Sequence, residues 1–347
     1  MRITSAAVVS YRLGGLDGVS VEAAKWVDAL RSLGLHVVTV AGSGACDVTV
    51  AGLDVGDRRS PDAPALRAVL DQVDVVVAEN ICSLPVNPAA FAAVTDAVRG
   101  RPAVLRHHDL PWQRRGPYRQ IDDDPAWVHV TVNHLSRRQL AQRGIDAVTV
   151  YNAFDPNPEP GDRQASRSLL GVAEDELLFV QPTRAIPRKN VDGGLAVAEA
   201  LGATYWITGP AEDGFGDELA RLLSKSRVRV IHRPAPGEGP DAMAGVYAAA
   251  DLVLMPSTWE GFGNPAVEAS LYRRQVVVGP YPVARELAGL GFEWIALSDG
   301  QAVERWIRQP DEDVLEHNRE VARRRLSLSE LPRQIAGLLD RIKRMSG

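Results

Sequence analysis

Two glutamates, Glu260 and Glu268, bracket a glycine-rich stretch of the chain, with seven residues between them. The apolar run 252–254 before the stretch predicts a strand, and the residues after Pro265 predict a helix. Such a strand–turn–helix presents backbone N–H groups and the positive end of a helix dipole to an anion, and carboxylates accept hydrogen bonds from hydroxyls. The stretch suits a ligand with a phosphate between hydroxyl-bearing ends. Taken alone, the pattern would favour a buried helix start flanked by solvated glutamates, but other features of the chain point to the same site.

A second glycine-rich loop lies near the start of the chain. The apolar run 3–9 predicts a first strand, and apolar residues at helical spacing predict a following helix with Ser20 as its N-cap. Gly14, Gly15 and Gly18 stand between these elements, where β–loop–α–β units bind phosphate. Their Gly-Gly-x-x-Gly spacing differs from the dinucleotide fingerprint, so a nicotinamide-dependent dehydrogenase is the weakest of the functions considered.

Two histidines and an aspartate follow a short strand predicted over residues 103–105. His107, His108 and Asp109 stand at the carboxyl end of that strand, the edge of an open α/β sheet where ligands gather. These residue types can ligate a metal, but neighbours in sequence point in different directions. We therefore favour contact with a polar substrate over metal binding here.

The order of predicted elements indicates the fold class. Continuous apolar runs such as 73–78 and 177–181 are typical of parallel strands buried on both faces. Predicted helices alternate with such runs along the chain, which predicts an α/β protein. Residues 156–163 contain three prolines and a glycine and predict a linker. The 347 residues suffice for about two domains.

Composition argues against several classes of partner. The net charge of −5 and the pI near 5.9 provide no overall attraction to nucleic acid or anionic membranes, although peripheral membrane contact is left open. We find no run near the roughly 20 apolar residues that a membrane-spanning helix needs, and no signal-peptide pattern at the start. Cys46 and Cys82 show no metal-ligand spacing and suggest no disulfide framework. We expect a cytoplasmic protein, and the oligomeric state is not predicted.

The glutamate stretch and a pair of basic residues together resemble the retaining glycosyltransferases of glycosyltransferase family 4, which have the GT-B fold. Glu260 and Glu268, with Gly-Phe-Gly after the first glutamate, look like that family's E-x7-E element. Arg184 and Lys189 match the basic pair after the first strand of its second domain. His108 falls where the family places an active-site histidine.

The resemblance implies two Rossmann-like domains that face an interdomain cleft. Residues 1–155 would form the acceptor side, with residues 326–347 packing back on it, and residues 164–325 would form the nucleotide-sugar donor side. Residues 152–155 resemble the family's Asn-Gly-x-Asp hinge, with alanine in place of glycine. The chain departs from the family over residues 271–276, where small residues and a Gly-x-Pro are usual.

The resemblance also implies roles for individual residues. Glu268 would bind the nucleotide ribose and Glu260 the hydroxyls of the transferred sugar. Arg184 and Lys189 would hold the diphosphate through charge-assisted hydrogen bonds worth about 1.5–3 kcal/mol each. His108 would contact the sugar near its anomeric centre. Further donor contacts would come from Gly15, Gly18, Phe262, Gly263 and Asn264.

A basic loop with interleaved aromatic residues is the candidate acceptor site. Because arginine forks favour phosphate or carboxylate, its side chains would suit a small, hydroxyl-bearing, anionic acceptor, while a solvated loop is an equal alternative. The residues concerned are Trp112, Arg114, Arg115 and Arg119.

The acidic run 122–124 precedes Pro125 and indicates a loop rather than the strand end at which many glycosyltransferases hold a metal. We therefore expect no need for a divalent metal or other cofactor. The resemblance implies retaining transfer of a hexosyl group from a UDP-, GDP- or ADP-linked sugar. Two alternatives stay open: a non-hydrolysing sugar-nucleotide epimerase or phosphorylase-like enzyme, and a nucleotide-sugar-binding protein without turnover.

Overall fold

The computed structural model describes residues 2–15, 17–114, 118–235 and 239–345, with the backbone alone at 239–241. The chain divides into two compact units. Unit 1 comprises Met1–Ala153 together with Leu328–Gly347, and unit 2 comprises Phe154–Ser327.

Unit 1 is built on a seven-stranded sheet in the order β3-β2-β1-β4-β5-β6-β7, in which all neighbouring strands are parallel. In chain order its elements are β1 (Ser5–Ser10), α1 (Gly18–Ser32), β2 (His36–Ala41), β3 (Val48–Thr49), α2 (Ala63–Leu70), β4 (Val75–Glu79), α3 (Pro88–Val98), β5 (Ala103–His107), β6 (Trp127–Thr131), α4 (His134–Ala141) and β7 (Ala147–Thr149).

Unit 2 is built on a six-stranded parallel sheet in the order β10-β9-β8-β11-β12-β13. Its elements are α5 (Arg163–Leu170), β8 (Leu178–Gln181), α6 (Val191–Leu201), β9 (Thr204–Ile207), α7 (Gly216–Ser224), β10 (Val230–His232), α8 (Gly239–Ala249), β11 (Leu252–Met255), α9 (Asn264–Leu271), β12 (Val276–Val278), α10 (Pro282–Ala288), β13 (Ile295–Ala296), α11 (Gly300–Arg308) and α12 (Glu312–Arg325). The last helix, α13 (Leu331–Met345), belongs to unit 1.

The core of unit 1 needs the last helix of the chain. Two layers of apolar side chains cover the two faces of its sheet, as expected for parallel strands. On one face, Leu331, Ile335 and Leu338 of α13 pack with Trp26 and Leu30 of α1, and all five are buried. The apolar face of α13 is thus part of the folding core of unit 1.

The start of α1 differs from the prediction. The N-cap is Asp17 and not Ser20, because the Asp17 carboxylate accepts hydrogen bonds from the backbone N–H groups of Val19 and Ser20. It also accepts a hydrogen bond from the Ser20 hydroxyl at 2.8 Å. The helix therefore begins at Gly18, three residues earlier than expected.

Candidate active site

The predicted strand, turn and helix around the two glutamates are confirmed: β11 ends at Met255 and α9 begins at Asn264. The turn between them is fastened to a short 3-10 helix over residues 187–189. The backbone N–H of Thr258 donates to the Arg188 carbonyl at 2.9 Å, and the Asn190 amide donates to the Pro256 carbonyl at 3.1 Å. These bonds fix the position of the turn relative to the carboxyl end of β8.

Glu260 is held by three donors in this turn. Its Oε1 accepts hydrogen bonds from Lys189 Nζ at 2.5 Å and Ser257 Oγ at 2.6 Å, and its Oε2 accepts one from Arg188 NH1 at 3.1 Å. Arg188 NH1 also donates to the Trp259 carbonyl at 2.9 Å. We call Glu260, Lys189, Arg188 and Ser257 the glutamate clamp.

The glutamate clamp keeps its carboxylate charged. Burial by itself would raise the pKa of Glu260, but the positive charges of Lys189 and Arg188 more than offset this and hold the pKa below its ordinary value. Only 5% of Glu260 is exposed, so these charges interact in a poorly solvated place. The clamp combines one negative and two positive side chains and is therefore a cationic site overall.

The two members of the expected basic pair, Arg184 and Lys189, have different partners in the structure. Lys189 lies against Glu260, whereas Arg184 forms an ion pair with Glu212 at 2.6 Å, and both members of that pair are partly exposed. Arg188, which the sequence reasoning left out, provides the second cation beside Glu260. Its position next to Lys189 in the chain was the available signal.

Glu268 lies in the second turn of α9 and is half-buried. Its Oε2 accepts a hydrogen bond from the Tyr247 hydroxyl at 2.6 Å. Tyr247 is fully buried on α8 and stacks on Tyr272, with ring centroids 5.1 Å apart. Burial and the Glu268 charge raise the pKa of Tyr247 far above its ordinary value, so the phenol stays protonated and donates. Tyr247 was not identified from the sequence.

The residues between the two glutamates shape the start of α9. Gly263 is the N-cap of the helix with φ of 98°, a conformation that side chains rarely adopt. Asn264 is the first residue of α9 and is half-buried. Phe262 is buried and stacks on Phe154, with ring centroids 6.2 Å apart, so its side chain contributes packing.

In unit 1, His108 follows β5 and contacts Glu79 at the end of β4. Its Nε2 lies 2.9 Å from Glu79 Oε2. Glu79 is completely buried, which would raise its pKa, but the adjacent Arg106 charge and the His108 ring lower it below the ordinary value. Because the carboxylate is ionised, His108 Nε2 carries the hydrogen and donates it. In the neutral ring Nδ1 is then an acceptor, suited to a hydroxyl of a ligand.

A buried arginine connects this pair to α1 and to the end of unit 1. Arg106 is 0% exposed and donates to Glu79 at 3.1 Å, to Glu22 at 3.1 Å and to Asn152 Oδ1 at 3.0 Å. Its guanidinium also lies 4.6 Å from the ring centroid of Trp26. Glu79 and Arg106 were missed because both were placed at or beyond the ends of their strands, yet that position is where the sheet gathers polar groups.

The glycine loop lies before α1 as predicted, but backbone N–H groups at the amino end of α1 are bonded to a side chain of the protein. Asp17 takes the first free N–H groups of the helix, as described above, and also accepts from Arg12 Nε at 3.2 Å. A Cβ added at Gly15 would lie 3.1 Å from Asp17 Oδ2, whereas one at Gly18 would meet open space. The N–H groups that a phosphate would use at this helix are thus bound to a carboxylate.

The candidate acceptor loop rests on α4 and is not a freely solvated segment where it is described. Trp112 Nε1 donates to Gln139 at 2.9 Å, and the Arg143 guanidinium lies 3.7 Å from the Trp112 ring centroid. Arg114 pairs with Asp109 at 2.5 Å, and the exposed Arg119 donates to its neighbour's carbonyl. Arg115 lies outside the described residues.

The acidic run before β6 is a loop whose carboxylates bind local partners. Asp122 pairs with Arg99, Asp123 with His129, and Asp124 accepts from the Gly100 and Ala126 N–H groups. Within the described ranges, histidine, cysteine and carboxylate side chains form no group of three or more that could hold a metal. None of the described helices combines the length and hydrophobicity needed to cross a membrane.

Comparison with known proteins agrees with this architecture. Residues 177–308 match the family model described as glycosyl transferases group 1. The mannosylglucosylglycerate synthase of Petrotoga mobilis is 26% identical, over 86% of this chain and 87% of that protein. The D-inositol 3-phosphate glycosyltransferase of Mycobacterium bovis is 31% identical over 177 residues, 48% of this chain and 37% of that protein.

Among solved structures, Anabaena Alr3699/HepE in complex with UDP and glucose superimposes with a TM-score of 0.77 at 18% identity, covering 97% of this chain and 99% of that one. The two parallel sheets with their helices therefore form the GT-B fold. With the family match over unit 2 and the glycosyltransferase relatives, they define the class of this protein. It is a GT-B glycosyltransferase.

Proposed function

We propose that the protein is a retaining hexosyltransferase of glycosyltransferase family 4 that uses a nucleotide-diphosphate sugar and a small, hydroxyl-bearing, anionic acceptor. The glutamate clamp at the start of α9 is the observation that carries this proposal. It joins an ionised carboxylate, which accepts sugar hydroxyls, to an excess of positive charge, which favours a diphosphate. Solved GT-B structures with bound UDP and UDP-glucose support this kind of donor.

Two further side chains complete the proposed donor contacts. Glu268, oriented by Tyr247, accepts the ribose hydroxyls. Arg184 lies in a partly exposed ion pair with Glu212, and such pairs are worth at most about 1 kcal/mol, so it can exchange Glu212 for a phosphate. On binding, Lys189 and Arg184 then share the diphosphate, while Arg188 retains Glu260.

The anionic acceptor is proposed from two separate observations. The names of the relatives cited above contain glycerate and inositol 3-phosphate, both small anionic molecules with hydroxyls. In unit 1, Arg114 and Arg119 stand in the same loop as Trp112, so the loop offers cations to an anionic acceptor. Nδ1 of His108, whose ring is held by Glu79, can accept a hydrogen bond from a hydroxyl of the sugar or of the acceptor molecule.

The proposed chemistry needs charge neutralisation at the leaving group. As the glycosidic bond breaks, the departing nucleoside diphosphate gains negative charge, which Lys189, Arg184 and the amino end of α9 stabilise. Glu260 is already bonded to three donors, which makes it a poor covalent nucleophile. Retention then follows from attack on the leaving-group face, with the acceptor hydroxyl losing its proton to the departing phosphate.

The test is a transfer assay with UDP-, GDP- and ADP-linked glucose and mannose as donors. D-glycerate, glucosylglycerate, inositol phosphate and uncharged glycerol serve as acceptors. We expect nucleoside diphosphate release to depend on an anionic acceptor, and NMR of the product to show the anomeric configuration of the donor. A preference for glycerol would contradict the anionic acceptor. An inverted linkage would contradict retention, and epimerised donor or binding without turnover would overturn the transferase assignment.

A further inference from the structure

Tyr281 is a buried tyrosine whose hydroxyl lacks a hydrogen-bond partner in the described part of the chain. The other buried tyrosines of that part all donate: Tyr11 to the Ile81 and Leu84 carbonyls, Tyr205 to Gln181, and Tyr247 to Glu268. Leaving a buried hydroxyl unpaired costs free energy, so such a group calls for an explanation.

The Tyr281 hydroxyl lies at the amino end of α9. A Cβ added to Gly263, the N-cap of that helix, would lie 2.7 Å from the Tyr281 hydroxyl oxygen. Gly263 therefore has two reasons to be glycine: its φ of 98° and the space that the phenol occupies. A second buried donor, Nε of Arg188 in the glutamate clamp, also lacks a partner among the described residues.

The chemistry of this corner favours a ligand that accepts hydrogen bonds. Burial and the nearby Glu260 charge raise the pKa of Tyr281 far above its ordinary value, so the phenol keeps its proton and can donate. The amino end of a helix carries partial positive charge, and Arg188 and Lys189 are full cations. Phosphate oxygens are strong acceptors and are attracted by all of these groups.

We propose that the Tyr281 hydroxyl donates a hydrogen bond to a diphosphate oxygen of the nucleotide-sugar donor. The inference rests on the proposed function and adds a donor-binding residue to it. Tyr281 follows β12 and directly precedes α10, so it reaches the amino end of α9 from a different element than the clamp does. The Tyr281 phenol and Lys189 would then bind the diphosphate from two different elements of unit 2.

The experiment uses the Tyr281→Phe variant of the full chain, with calorimetric titration of UDP, GDP and ADP and of the corresponding nucleosides. For the best-binding base, we expect the Kd of the diphosphate to rise about tenfold or more, because hydrogen bonds to charged groups are strong. The Kd of the nucleoside should not change. The ligand-free variant should melt at the same or a higher temperature, since phenylalanine removes a hydroxyl that has no protein partner.

Tyr205→Phe is the matched control, because Tyr205 is equally buried in unit 2 but its hydroxyl is bonded to Gln181. It should lower the melting temperature and leave the diphosphate Kd unchanged, the reverse of the Tyr281→Phe pattern.

An unchanged diphosphate Kd in Tyr281→Phe, with or without a loss of stability, would overturn the inference alone. An equal loss for nucleoside and diphosphate would place the contact on the base or ribose and also overturn it. If the wild-type protein binds none of the three diphosphates, the proposed function fails and the inference fails with it.

Discussion

The Glu260 carboxylate accepts hydrogen bonds from Lys189, Arg188 and Ser257, so its charge should affect both stability and the proposed transfer. We predict that Glu260→Gln lowers kcat about 10- to 100-fold, since a hydrogen bond to a charged group is lost in the transition state. The variant should also lose about 3 kcal/mol of unfolding free energy, because buried Lys189 loses its counter-charge. Steady-state kinetics and urea unfolding measure the two effects.

Glu212→Gln is the control for this prediction. It removes a carboxylate from the partly exposed pair with Arg184, and the unfolding free energy should change by less than about 1 kcal/mol. A Glu260→Gln variant as stable as Glu212→Gln would contradict the buried ion pair, and an unchanged kcat would contradict its role in transfer.

Tyr247 donates a hydrogen bond to Glu268, so its removal should affect donor binding more than turnover. We predict that Tyr247→Phe raises the donor KM several-fold with little change in kcat, in the same direction as Glu268→Gln, because ribose contact is common to ground and transition states. Tyr11→Phe removes a buried hydroxyl bond in unit 1 and should leave the donor KM unchanged. A raised KM in Glu268→Gln without one in Tyr247→Phe would refute the orienting role.

At the scale of elements, β5 and β6 of unit 1 and the loops that follow β4 and precede β6 are joined by hydrogen bonds through two buried histidines. Asp123 Oδ1 accepts from His129 Nε2 at 3.1 Å, and His129 Nδ1 lies 2.8 Å from His107 Nε2. Ser83 Oγ lies 2.5 Å from His107 Nδ1. Ser83 therefore donates to His107, His107 donates to His129, and His129 donates to Asp123. Both rings are neutral and carry their hydrogen on Nε2.

This histidine pair makes stability sensitive to mild acid. Burial lowers the pKa of His107 and of His129 below the ordinary value of 6.5. The unfolded chain thus binds more protons than the folded one as pH falls below 6.5, and stability drops until the folded pKa is reached. We predict that, below about pH 6.5, the unfolding free energy falls by up to about 1.4 kcal/mol per pH unit for each ring, and the melting temperature falls with it.

His107→Gln should flatten this dependence, because one of the two titrating groups is gone. The exposed His317 supplies the comparison, since His317→Gln should retain the wild-type slope. Equal slopes in the wild type and His107→Gln would show that other groups cause the acid sensitivity.

The sequence predicted most strands and the longer helices, because apolar runs and helical spacing are local properties. It did not predict α2, α5, α7 or α11, which are short and partly polar. It ended β5 at Leu105, whereas the strand continues through Arg106 and His107. Those polar side chains are buried only because Glu79, Glu22, Ser83 and His129 reach them from other elements.

The same limit applies to the candidate site. Spacing identified Glu260 and Glu268, since a strand–turn–helix is formed by residues close together in the sequence, and the resemblance to family 4 added Lys189. The second cation beside Glu260 is Arg188. The sequence does not distinguish it from Arg184, because both follow β8, and only the structure shows that Arg184 pairs with Glu212 and Arg188 with Glu260. The Tyr247 contact joins α8 to α9 and has no local signal.

At the scale of the molecule, we expect the positive charge of the proposed donor site to replace a metal. Arg184, Lys189 and Arg188 all follow β8, and the amino end of α9 adds partial charge. We predict that transfer by the purified protein persists in excess EDTA with at most a small change in rate. Activity that is lost in EDTA and restored by magnesium or manganese would contradict this, and a zinc-free buffer without chelator serves as the control.

The chain passes from unit 1 to unit 2 and back again, and this path determines the order in which the units can fold during synthesis. Unit 1 is complete only when α13 has been made, and the whole of unit 2 precedes that helix in the chain. At about 5–20 residues per second, the face of unit 1 that carries Trp26 and Leu30 stays uncovered on the ribosome for about ten seconds or more. The second half of the chain can therefore finish folding before the first, and the nascent sheet of unit 1 is the part that a chaperone would have to shield.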